Sequence, residues 1–266
     1  MRHAKDHIVE LENDHMRQWM MDTQGIDKDE LDEDSEQWQA LAQEYQAKLD
    51  GERADEEAAA SEAYANYQEY MRKHPYDRMY QDYQSQLMLV RKLIYESEDK
   101  FEGYLIQKMA FVHAVTLMEA LIGDMIKSLV VEHDFLMRRV GVSFEELAKR
   151  KNTVSEVLKH PGGINGIIMD FLSTFTFHNV FATKKLLEAL FPENMKGLDI
   201  SEIGVVIEKR HDFVHRNGRT IKDEPVVITQ ETLVRDLQII SGFAVEVYRG
   251  IYEVMDEVIN KSSECV

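Results

Sequence analysis

Between residues 84 and 139, apolar side chains recur every three or four positions with almost nothing to interrupt them. Leu87, Val90, Leu93 and Ile94 are followed by Leu105, Met109, Val112, Leu117, Leu121, Met125 and Leu129. A 3.6-residue repeat puts such positions on one face, so a chain carrying this run must build helices and bury that face. Only 4 prolines and 13 glycines occur in 266 residues, which leaves room for long helices. The spacing predicts one very long helix or two, relaxed near Gly103 and ended by Gly141. Few stretches alternate as strands do, so the expected class is all-α.

The flanking segments extend the same reading. Residues 1–21 carry Ile8, Leu11, His15 and Trp19 at helical spacing, and an acidic stretch from Asp22 to Ser35 reads as a linker or solvated face. Residues 36–73 are rich in Ala, Glu and Gln, good helix formers, up to a break at His74-Pro75. Tyr64, Tyr67, Tyr70, Tyr76, Tyr80 and Tyr83 form a stripe that is expected to pack on a neighbouring helix rather than stack on bases. Ser143 to Glu146, Thr153 to Glu156 and Asp199 to Glu202 have capping-box spacing. Pro161-Gly162-Gly163 marks a turn, Pro192 to Gly197 a loop, and Pro225 to Ile228 a short extended piece. Thr229 is the expected cap of a last helix that buries Leu233, Leu237, Ile240, Phe243, Val247 and Ile251. The predicted division is an acidic helical extension over 1–80 and a helical bundle over 81–260.

Charge and cysteine content narrow the function. The net charge is −18, which by itself argues against a nucleic-acid partner. The charge is uneven: residues 1–100 hold 25 acidic and 12 basic side chains, residues 101–266 hold 24 and 19. The single cysteine, Cys265, cannot form an internal disulfide, and a position so near a chain end suits a catalytic thiol badly. No leader is visible, and no window approaches the ~20 apolar residues of a membrane span. The cytoplasm, with no membrane partner, is the expected location.

One segment is rich in chemistry. Lys209-Arg210-His211-Asp212-Phe213-Val214-His215-Arg216-Asn217-Gly218-Arg219 closes an apolar helix, and five Lys/Arg and two His lie between Lys209 and Lys222. Cleaving RNA without a metal needs a base for the 2′-hydroxyl, an acid for the 5′-oxygen and a cation for the phosphorane. Histidine titrates near neutrality and suits the proton transfers, while the planar guanidinium of arginine grips phosphate with two donors. Five residues of helix rotate about 140°, within what a long Arg210 side chain spans to reach the groove of His215.

The string from Arg210 to Gly218 resembles the Arg-x(4–6)-His motif of HEPN domains, in its RHxxVHRNG form. The resemblance covers about residues 85–258 and takes in Phe177-His178-Asn179 and the helix around Glu119. It implies an up-and-down helical bundle with an N-terminal helical extension, two protomers facing one cleft, and no cofactor or metal. It implies RNA as the substrate, Arg210 and His215 as the catalytic pair, and His211, Arg216, Asn217 and Arg219 as substrate-contacting. Asp212 and Glu119 would support the motif. Relatives of this kind act as endoribonuclease toxins or anti-phage effectors under an inhibitory or activating partner; others are non-catalytic nucleotide- or RNA-binding modules. Some carry a tyrosine two residues past the histidine, where a partner enzyme modifies it. Here Asn217 stands there, so that control is not expected. A rival reading takes His211 and His215, at i and i+4, as zinc ligands, with no third ligand at a convincing distance. A further expectation is that the acidic N-terminal residues shield the basic segment.

Overall fold

A computed structural model describes residues 14–23, 25–26, 35–97 and 101–263. Ile8, Leu11, most of the acidic stretch after Asp22, and Cys265 lie outside these residues. Every regular element among them is an α-helix, and the only β-pairing is one isolated antiparallel bridge between Arg219 and Pro225. The chain is an all-α helical bundle. No helix among the described residues is long and apolar enough to cross a membrane.

The chain divides into two compact units, residues 1–63 and 64–266. The predicted boundary at 80/81 lies inside a helix of the second unit. In the first unit, helical residues 14–23 (α1) and the start of α2 (Glu36–Lys73) bury Met16, Met20, Trp38 and Leu41, with Trp19 and Tyr45 packed at their edge. From Asp50 to Ala63 every residue of α2 is exposed. With no apolar face to bury, this stretch relies on helix-forming Ala and Glu and on pairs such as Lys48–Glu52 at 3.6 Å.

The second unit begins within α2, where Met71 is buried and Tyr64 and Tyr67 are half-buried. Pro75 then opens α3 (Tyr76–Glu96), with its φ of −64° already suited to the turn. Tyr80 and Tyr83 are buried, while Tyr70 stays exposed against His74. The stripe therefore packs, as its spacing predicts, at every position but that one.

The long apolar run is α3 followed by α4 (Gly103–Glu132), which lie side by side. From Phe111 onward α4 is buried on nearly every side, by α3, α5 (Asp134–Ser143), α8 (Gly163–Thr174), α11 (Ser201–His215) and α12 (Gln230–Ser263). A helix apolar all round belongs in the centre, and α4 is the central helix here. Three expected core positions of the run are not core: Leu93 of α3 and Leu105 and Met109 of α4 are exposed, while Ile94 and Ala110 beside them are buried. Gly141 does not end a helix either. It sits inside α5, facing Ile168 of α8, where a Cβ would lie 3.4 Å from that side chain. α3 ends at Glu96, α4 begins at Gly103 as the spacing predicts, and His133, with extended backbone, separates α4 from α5.

Of the three proposed capping boxes, Thr153 forms one in full at the start of α7 (Val154–Lys159). Ser143 does not, since it belongs to the last turn of α5; the short α6 (Glu145–Ala148) starts after Phe144 without a side-chain cap. Asp199 does not form one either: it accepts the backbone N–H and hydroxyl of Ser201, while Ile200 stands at the cap of α11 without a side-chain bond. Thr229 caps α12 in exchange with Thr232. The turn at Pro161 to Gly163 has positive φ at both glycines, and a Cβ on Gly162 would run into the Tyr64 ring at 2.2 Å. After α9 (Val180–Leu190), the expected loop from Pro192 holds one helical turn, α10 (Pro192–Met195), with proline in the position that needs no N–H.

Candidate functional site

The motif occupies the last turns of α11 and the loop after it. Ile203, Val206 and Phe213 bury one side of α11 against α4 and α12. Phe213 packs edge-on to Phe111 of α4, centroids 5.7 Å apart. This anchoring leaves His211 and His215 on the solvent side, one turn apart, with ring centroids at 4.6 Å. Arg210 lies between the two sides and is only 17% exposed.

Arg210 does not pair with its neighbours on α11. Its guanidinium faces Glu119 of α4, Nη2 to Oε2 at 4.0 Å, the outer limit of an ion pair. Arg210 Nε and Glu119 Oε1 are both buried without a hydrogen-bond partner. Burial raises the Glu119 carboxyl above the usual carboxylate range, and Arg210 opposes that shift. The pair is thus desolvated but not closed, and it retains unused donor and acceptor capacity.

Other cations of the motif are committed to carboxylates. Lys209 Nζ reaches Asp236 of α12 at 2.6 Å and lies over the Phe111 ring. Arg216 pairs with Asp212, whose side chain is buried. Arg219 holds Asp223, by its carbonyl oxygen at 2.8 Å and its carboxylate at 3.2 Å, within the loop that the Arg219–Pro225 bridge closes. Lys209, Arg216 and Arg219 are therefore paired in three dimensions, and Arg210–Glu119 is the longest of the motif's ion pairs.

Asp212 has a second task. Its carbonyl oxygen accepts the N–H of Arg216 at 3.1 Å and of Gly218 at 2.9 Å, which turns the chain out of the helix. Asn217 and Gly218 have φ of 53° and 81°, the left-handed geometry expected of this pair. Val226 N–H then returns to the Gly218 carbonyl, so Pro225 to Ile228 is the predicted extended piece.

His178 joins the cluster from the α8–α9 connection. Sequence reading met it inside Phe177-His178-Asn179 without giving it a role, since nothing local separates a site histidine from a loop histidine. Both of its neighbours are tied down: Phe177 packs on Gly123 of α4, and Asn179 caps α9 through Ala182 N–H. The His178 ring keeps an open edge, yet its pKa is held below the usual histidine range. Partial covering is the first cause, followed by the charges of Arg210, His211 and His215. All three therefore act on one imidazole, and the cluster comprises Arg210, His178, His211 and His215 with Glu119 behind the guanidinium.

His211 and His215 gain no further metal donors. Among the described residues no group of three or more His, Cys, Asp or Glu is arranged to hold a metal. What the arrangement offers is one constrained guanidinium on the same end of α11 as two exposed imidazoles. No protein-family model, curated protein or solved structure matches this chain.

Proposed function

We propose that this chain is a metal-independent endoribonuclease of HEPN type, cytoplasmic, acting as a toxin or anti-phage defence effector. RNA would lie across the end of α11, in a cleft completed by a second copy of the chain. The observation that carries the reading is the state of Arg210: a partly buried guanidinium, 4.0 Å from its carboxylate, with Nε unpartnered and histidines around it. A phosphate entering there gains a charge-assisted contact without having to break a tight ion pair. His215, exposed beside it, moves the proton. Asp212 and Arg216 hold the turn that positions His215, while His211, Asn217 and Arg219 border the RNA path. A partner protein that covers this open face would switch the enzyme off.

Purified wild type and His215→Ala, incubated with total RNA in the presence of chelator, test this. Wild type is expected to leave 2′,3′-cyclic phosphate ends and the variant about a hundredfold fewer. Equal cleavage by both would end the proposal. Binding without cleavage would mark a non-catalytic RNA- or nucleotide-binding module.

A further inference from the structure

One imidazole cannot by itself be both base and acid in the same displacement. Transfer of the phosphoryl group from the 5′-oxygen to the 2′-oxygen releases a proton at one end and requires one at the other. The α4 helix shows where the second group lies. Gly123 supports Phe177 at a distance that admits no side chain: a Cβ would sit 3.0 Å from the ring. Glu119 is one turn earlier on the same face and meets Arg210. The segment that carries His178 and the Arg210 guanidinium thus meet α4 one turn apart.

The loop that carries it is set from both sides. Phe177 joins a row of rings with Phe175, Phe171 and Phe144, centroids 5.0 to 5.8 Å apart. The Phe177 carbonyl accepts the buried Thr183 hydroxyl at 3.0 Å, and Asn179 caps α9. Between these anchors His178 is exposed.

Resting on the nuclease reading, we infer that His178 is a second catalytic imidazole, the base that takes the 2′-hydroxyl proton while His215 protonates the leaving 5′-oxygen. The 2′-oxygen bonds to phosphorus as its proton passes to His178. The bond from phosphorus to the 5′-oxygen breaks as that oxygen takes the proton of His215. The products are a 2′,3′-cyclic phosphate and a 5′-hydroxyl, and solvent returns each imidazole to its starting state. The charged groups that act on His178 are Arg210, His211 and His215, all from α11. Partial covering, then these charges, lower the His178 pKa, which favours the neutral form a base needs.

The test uses the full chain, in chelator, on two short RNAs that differ only at the scissile 5′-oxygen, which sulfur replaces in one. A thiolate leaves without an acid. His178→Ala and His215→Ala are each expected to lose about a hundredfold or more on the oxygen substrate. Sulfur is expected to restore His215→Ala toward wild type and to leave His178→Ala impaired. The ratio of the two rates is read on each variant itself, so a partial loss of fold cancels; His178→Gln repeats the measurement. Restoration of both variants by sulfur, or oxygen cleavage by His178→Ala at the wild-type rate, would overturn the base assignment and leave the nuclease standing. Wild type that cuts neither RNA would bring down the nuclease reading, and this inference with it.

Discussion

Asp212 illustrates how much a single motif residue does that its neighbours in sequence do not reveal. Its carboxylate is buried and paired with Arg216, and its carbonyl receives two N–H groups of the turn. Asp212→Ala removes the side-chain half of this arrangement and leaves Arg216 without its partner. The loss should be about 1–2 kcal/mol, the low end for a charged hydrogen bond because Arg216 is 36% exposed. Urea denaturation measures it, and an unchanged midpoint would mean that the backbone alone holds the turn. The contrast with Arg210 is one of distance: the motif's other ion pairs are closed, whereas Arg210–Glu119 stands at 4.0 Å.

Helices meet here through small residues, and two glycines separate the consequences. Both lie in helix interiors, where alanine normally gains roughly 0.5–1 kcal/mol. At Gly242 of α12 a Cβ meets nothing within 4 Å, so Gly242→Ala should stabilise by about that amount. At Gly123 of α4 the Cβ meets the Phe177 ring at 3.0 Å, so the ring must shift and drag the His178 loop with it. Gly123→Ala is expected to cost about 1–2 kcal/mol net, since overpacking outweighs the helix gain. Thermal unfolding of the two variants side by side checks the opposite signs. A stabilised Gly123→Ala would show that Phe177 yields freely and that the loop is not held by α4.

Across the second unit, tyrosines set the alkaline limit of stability. Burial, with acidic neighbours, pushes Tyr67 and Tyr76 up to about 12. Tyr83 is raised by burial, and Tyr248 by burial and by its hydrogen bond to Asp77. Folded pKa values above the unfolded value of ~10 mean that the native state holds protons the unfolded chain gives up. That stability is complete below about pH 10 and is lost as the pH rises toward 12. Denaturant midpoints from pH 8 to 11.5 should fall only above about 10, and a flat profile would mean that these hydroxyls are solvated.

Local chemistry was enough to determine the helices, the break at Pro75, the caps at Thr153 and Thr229, and the stop at Asn217-Gly218. These depend on residues within a turn of one another. Which apolar face is covered does not: Leu93, Leu105 and Met109 satisfy the helical repeat but are exposed, while Ile94 and Ala110 beside them are buried. Tertiary structure alone decided that Lys209 pairs with Asp236, that Glu119 faces Arg210, and that Phe177, next to His178, packs on Gly123. Those facts join positions dozens of residues apart through the packing around α4, and no repeat or spacing along a chain encodes which distant side chain will occupy the other half of a contact.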